Sequence, residues 1–113
     1  MQISAESYGH AVILNMKGDL TEDSLQAFDQ AVDRQLRDQE VVDLVLNLET
    51  VPFVDSAALE RLLDLHERLA KALGRLRLAK PDENVRDILR ITRLDATLEV
   101  VADVQEALRS IQV

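Results

Sequence analysis

Cysteine is absent from this 113-residue chain, which excludes disulfides, thiolate metal sites and thiol nucleophiles. Glycine occurs only at 9, 18 and 74, so neither a phosphate-cradling P-loop nor a dinucleotide fingerprint can be built. Histidine occurs only at 10 and 66, and two isolated imidazoles make a poor metal site, so no metal or cofactor is expected. No stretch approaches the apolar length of a membrane span, and no basic region followed by an apolar run opens the chain. A soluble cytoplasmic protein without membrane insertion is therefore expected. Basic charge is scarce as well: 13 Lys and Arg stand against 21 Asp and Glu, a net charge of −8 that argues against nucleic acid as a partner. No internal repeat, low-complexity tract or linker interrupts the sequence.

What is present fits one domain large enough to bury a core without staples. Its charge is uneven. Residues 1–60 hold twelve acids and three bases, whereas residues 61–113 hold nine acids and ten bases. An acidic first half either steers a basic partner surface or is simply solvated.

Apolar periodicity places the elements. Residues 2–8 and 11–17 read as strands joined through Gly9-His10, and Gly18 ends the second. From Thr21 onward, Leu25, Phe28, Val32 and Leu36 recur at helical spacing. Val41 to Leu48 reads as a strand covered on both faces. A second helix starts at Ser56, with Leu59, Leu62, Leu63, His66, Leu69, Ala70 and Leu73 as its apolar stripe, and closes at Gly74. Arg75 to Ala79 alternates like a half-exposed strand. Pro81-Asp82 opens a third helix carrying Val85, Ile88 and Leu89. Residues 98–102 form a last strand, and Asp103 to Glu106 has the spacing of a capping box before a final helix with Leu108 and Ile111. Strands alternating with helices predict an α/β fold: a mixed sheet of four or five strands with about four helices packed on it. Leu25, Phe28, Leu46, Leu48, Leu59, Leu63 and Ile88 are the expected core.

In such folds, ligand sites favour loops at the carboxyl ends of strands. Two loops qualify, Gly18-Asp19-Leu20-Thr21 and the segment leading to Asp55-Ser56, and they are expected to lie side by side. A hydroxyl at the first turn of a helix sits beside free N–H groups and the positive end of the dipole. Ser56 can therefore cap the helix or hold a phosphate there. A catalytic role is harder to assemble. His66 lies on the same helix roughly 15 Å from Ser56 by helical rise, too far to act as its base. No pair of carboxylates is placed as acid and base either. The chain is not expected to be an enzyme, and if Ser56 is modified, an ATP-binding partner must supply the chemistry.

Leu46-Asn47-Leu48-Glu49, Phe53 and Val54-Asp55-Ser56-Ala57-Ala58-Leu59 together resemble the core of STAS domains, in particular those of bacterial anti-sigma factor antagonists. There an apolar strand ending in Asn-Leu leads through a short Phe-containing loop to Asp-Ser-Ser-Gly-Leu-Gly at a helix start. The likeness continues through Gly18-x-Leu20 and through Leu98 to Asp103 with Glu106-Ala107-Leu108. It implies a single STAS-like domain over residues 1–113. It also implies transcriptional control by partner switching, in which an anti-sigma factor that is also a serine kinase of the ATP-binding type is bound. Ser56 is then the phosphoacceptor, a phosphatase reverses the modification, and Asp19, Thr21, Asp55, Ser56, Ala57 and Ala58 form one exposed binding patch on a protein favoured to be monomeric. The alternative is a non-switching STAS adaptor in a lipid-transport ATPase or a signalling complex. Ala57, Ala58 and Glu60 stand where the family usually has a hydroxyl, a glycine and a second glycine, and Thr21 where it often has aspartate. An alanine methyl at 58 is expected to obstruct a kinase, and Glu60 to repel a nearby phosphate.

Overall fold

A computed structural model describes residues 1–38 and 40–111. Five strands, β1 (Gln2–Tyr8), β2 (Ala11–Lys17), β3 (Asp43–Thr50), β4 (Arg75–Ala79) and β5 (Glu99–Val101), form one sheet in the order β1-β2-β3-β4-β5. The β1–β2 pair is antiparallel, through the expected turn at Gly9-His10, and the remaining pairs are parallel. Parallel neighbours need crossovers. Helices α1 (Leu25–Leu36), α2 (Ser56–Lys71) and α3 (Glu83–Ile91) supply them, and α4 (Val104–Ile111) follows β5.

The side-chain period of two divides the sheet's faces. Val12, Leu14, Met16, Leu44, Leu46, Leu48, Leu76 and Leu78 point to the layer of α1, α2 and α3, where Leu25, Phe28, Val32, Leu62, Leu69, Val85 and Leu89 complete the main core. Ile13, Val45 and Ala79 point the other way, under Ala107 of α4, with Val104, Leu108 and Ile111 packed alongside. With Leu46 and Leu48 fully buried and β2 and β3 covered on both sides, the expected sheet stands. Leu63 and Ile88 differ from expectation: they lie half-buried at the rim of the core.

The structure differs from the local expectations at three places. The first helix begins not at Thr21 but with a single 3₁₀ turn, Glu22–Ser24, before α1. The third strand runs from 43 to 50, because Thr50 Oγ1 donates to the Met16 carbonyl at 2.7 Å and the Thr50 carbonyl accepts from Gly18 N at 3.0 Å. In α2 the buried stripe is Ala58, Leu59, Leu62, Leu65 and Leu69; His66 is half-buried, while Ala70 and Leu73 face solvent. β4 alternates as expected, with Leu76 and Leu78 buried, Arg75 exposed and Arg77 half-buried; Arg75 Nη1 reaches the Ser110 carbonyl and Arg77 Nε the Ser110 hydroxyl, each at 3.0 Å. Gly74 closes α2 as predicted, its N–H bonding the Leu69 carbonyl at 2.7 Å. A Cβ there would overlap the Val42 carbonyl oxygen, so only glycine fits the approach to the strand below.

Candidate functional site

The site is built where β2 and β3 end. Gly18 turns the chain out of β2 at φ +109°, a conformation that side-chain-bearing residues rarely adopt. Beyond it, Leu20 N donates to the Phe53 carbonyl at 3.0 Å and Asp55 N to the Leu20 carbonyl at 3.3 Å, so parallel pairing resumes as a bridge between Leu20 and Val54. Leu20, Val51 and Val54 are buried beneath, anchoring both loops in the core. The two loops lie side by side, as the strand ends required.

Asp55 joins them. Its Oδ1 accepts from Ala58 N at 2.9 Å, capping α2, and its Oδ2 accepts from Glu22 N, also at 2.9 Å, across the gap to the other loop. These donors favour the charged form, the Ala58 bond most and the Glu22 bond next, and hold the carboxyl below the ordinary 3.8. Both oxygens of Asp55 are thus committed within the protein. Of the two roles open to Ser56, capping falls to Asp55, and Ser56 is the first residue of α2. Its side chain is exposed, and among the described residues its hydroxyl has no hydrogen-bond partner.

The remaining patch residues separate by burial. Asp19 is exposed, and Thr21 and Ala57 are half-exposed. Ala58 is 0% exposed and belongs to the core, so the expected patch does not include it. The cause is helical phase: Ala58 shares the inward face with Leu62, Leu65 and Leu69, and its methyl points away from any approaching partner. The expected obstruction at position 58 is removed with it.

The structure adds Ser24 and Phe53 to the site. Ser24 Oγ accepts from Thr21 N and donates to the Asp19 carbonyl, both at 2.9 Å, fixing the first loop; the signal was a Thr and a Ser three apart at a helix start. Phe53, which the sequence offers only as part of the STAS-like motif, is 46% exposed.

Acidic residues occupy the same loops and helix starts as the hydroxyl. Asp19, Glu22, Asp23 and Glu60 are exposed. An open trough of about 510 Å³ between α1 and α2 starts at Glu22, Ala57 and Glu60. Farther along it Arg61 pairs with Asp29, and Arg68 with Asp33 at 2.9 Å, lacing the helices together. Among the described residues no three His, Asp or Glu side chains converge as metal ligands, and no helix is long and apolar enough to cross a membrane.

Fold and site together define a small α/β domain whose exposed loops gather around one free serine hydroxyl at a helix start. The chain belongs to the STAS domain family, whose pattern matches residues 2–107. No curated protein matches the sequence. Among solved structures, it is similar to a candidate anti-sigma factor antagonist from Thermotoga maritima, at 21% identity and a TM-score of 0.90, covering 98% of this chain and 95% of the other. An anti-sigma factor antagonist from Mycobacterium paratuberculosis gives 21% identity and a TM-score of 0.87, covering 99% and 94%. The Bacillus cell fate determinant SpoIIAA in its phosphorylated form gives 18% identity and a TM-score of 0.73, covering 98% and 100%.

Proposed function

We propose that this STAS domain is an anti-sigma factor antagonist that controls transcription by partner switching. Unmodified, it binds an anti-sigma factor that is also an ATP-dependent serine kinase and so frees the sigma factor. Phosphorylation of Ser56 by that kinase ends the binding, and a phosphatase restores it. The observation that carries the reading is the exposed, unpartnered Ser56 hydroxyl, held in place by Asp55 at the first turn of α2. The fold it shares with SpoIIAA, a protein that has a phosphorylated form, supports it further.

The physics of the switch follows from position. Phosphate adds about −1.5 to −2 charges at neutral pH. At the start of α2 the helix dipole tolerates that charge, so the fold persists. At the interface it joins Asp19, Glu22, Asp23 and Glu60 on an already acidic surface. Where the partner presents its own nucleotide phosphates to the serine, like-charge repulsion and lost solvation convert binding into release. Asp55 positions Ser56 in this scheme, and Asp19, Thr21 and Ala57 contact the partner.

Incubation with the cognate kinase and ATP, followed by mass spectrometry, tests the reading. A single addition of about 80 Da at Ser56 is expected. Ser56→Ala should bind the partner and take no phosphate, and Ser56→Asp should bind poorly. A protein that binds its partner yet is never modified at Ser56 is instead a non-switching adaptor of a transport or signalling complex, a reading that Glu60, one turn beyond Ser56, favours by repelling phosphate.

A further inference from the structure

Among the described residues four large apolar side chains are exposed: Tyr8, Phe53, Leu73 and Ile91. Three of them lie away from the site. Tyr8 pairs with Ala11 at the start of β2, Leu73 follows α2 just before β4, and Ile91 ends α3, which has run back from the carboxyl end of β4. Phe53 alone stands beside Ser56. The chain has only three aromatic side chains, and Phe28 is in the core. Val51 and Val54 on either side are 0% and 2% exposed, so the valines take the loop's inward positions and Phe53 is the side chain presented to solvent.

The backbone under Phe53 is fixed. Its carbonyl accepts from Leu20 N at 3.0 Å, and the next residue bridges to Leu20. The preceding Pro52, also exposed, has a locked φ. A ring presented on a rigid loop loses little conformational freedom when it is buried, which is the property of an interface anchor. Exposed acids at Asp19, Glu22, Asp23 and Glu60 populate the neighbouring loop and helix starts.

We propose that Phe53 is the apolar anchor of the Ser56 interface. Its ring enters an apolar pocket on the partner, and the rim of that pocket is basic, to match the exposed acids of the neighbouring loop and helix starts. The inference rests on the partner-switching reading. It deepens that reading by separating affinity, carried by Phe53, from control, carried by Ser56. The two residues are three apart, so a phosphate at Ser56 prevents the approach that the anchor needs without touching the ring.

The test is calorimetric titration of the purified ATP-binding anti-sigma kinase, loaded with ADP, with wild type, Phe53→Ala, Phe53→Leu, Ile91→Ala and Ser56→Asp. Phe53→Ala should weaken binding by about 30-fold or more, the level of an interface hot spot. Phe53→Leu should fall between, and Ile91→Ala should match wild type. The Phe53→Ala loss should persist at high salt, where the effect of reversing Asp19 fades. Its melting temperature should stay within about 3 °C of wild type. Less than about a fivefold loss for Phe53→Ala, with Ser56→Asp still failing to bind, overturns the anchor and leaves the switch standing. If Ser56→Asp binds like wild type, the switch falls and the anchor with it. Amide shifts of Leu20 and Ser56 that move in free Phe53→Ala would assign the loss to a distorted loop and also overturn the proposal.

Discussion

The two ends of the sheet are made from the same kinds of connection and behave differently. At the carboxyl end, chain segments enter helices. Thr21 starts the 3₁₀ turn, Asp55 and Asp82 cap α2 and α3, and the Asp103 carboxylate accepts from Glu106 N at 2.7 Å before α4. At the amino end, chain segments leave helices. Leu73 and Arg93 take positive φ of 62° and 61°, and an open groove of about 430 Å³ is lined by Tyr8, His10, Asp43, Leu108 and Ile111. A parallel sheet forces this division, because every crossover helix runs against its strands. Helix starts, with free N–H groups and the positive dipole end, therefore collect at one end together with acidic caps. A serine there stands in a polar, hydrogen-bonded frame, whereas the other end only turns the chain around.

The comparison predicts that changes at the amino end disturb stability and changes at the carboxyl end disturb binding. The largest effect is expected from Gly74→Ala, whose new Cβ meets the Val42 carbonyl. Overpacking of this kind should cost about 3 kcal/mol in chemical denaturation while leaving the Ser56 face unchanged. Ser56→Asp is the reverse case: about 100-fold weaker partner binding by calorimetry, with an unchanged denaturation midpoint. If both properties fall together in either variant, the two ends are not separable.

Asp55 tests the frame itself. Its carboxyl is held below 3.8, so its contribution is fully present above that value and is lost as pH falls through the lowered one. Asp55→Asn keeps one acceptor for the Ala58 N–H and lacks the charge. The melting-temperature advantage of wild type over Asp55→Asn should be greatest near neutral pH and should shrink below pH 3.8. An advantage independent of pH would show that shape, not charge, holds the loops together.

Smaller effects sharpen the contrast. Asp19→Lys should weaken binding by about tenfold at low salt, less at high salt, with the melting temperature nearly unchanged. Equal loss of both would assign Asp19 to the fold. Leu73 is 92% exposed in a left-handed conformation. Leu73→Gly should therefore raise stability by about 1 kcal/mol and leave binding untouched.

Period and punctuation in the sequence determined most of the architecture. Leu44, Leu46 and Leu48 alternate with Val45, which packs under α4, and with Asn47; Leu25, Phe28 and Val32 fall on one helical face; and Gly9, Gly18 and Gly74 mark the turns. Local spacing carries that information because side-chain direction repeats every two residues in a strand and about every 3.6 in a helix. The pairing of the two loops and the serine at a helix start were legible for the same reason, since strand ends and caps are local. Tertiary structure alone decided the rest. Ala58 and Ser56 sit two residues apart in one motif, yet one is core and the other surface, because the phase of α2 is set by what Leu62 and Leu69 pack against. Aspartate before a helix is an ordinary cap, but the second bond of Asp55, to Glu22, spans 33 residues. Phe53 looks like one more apolar residue between Val51 and Val54, and only the closed core beneath those two leaves its ring outside. Burial depends on which surfaces meet, and a sequence records its own periodicity but not the partner surface against which that periodicity is finally set.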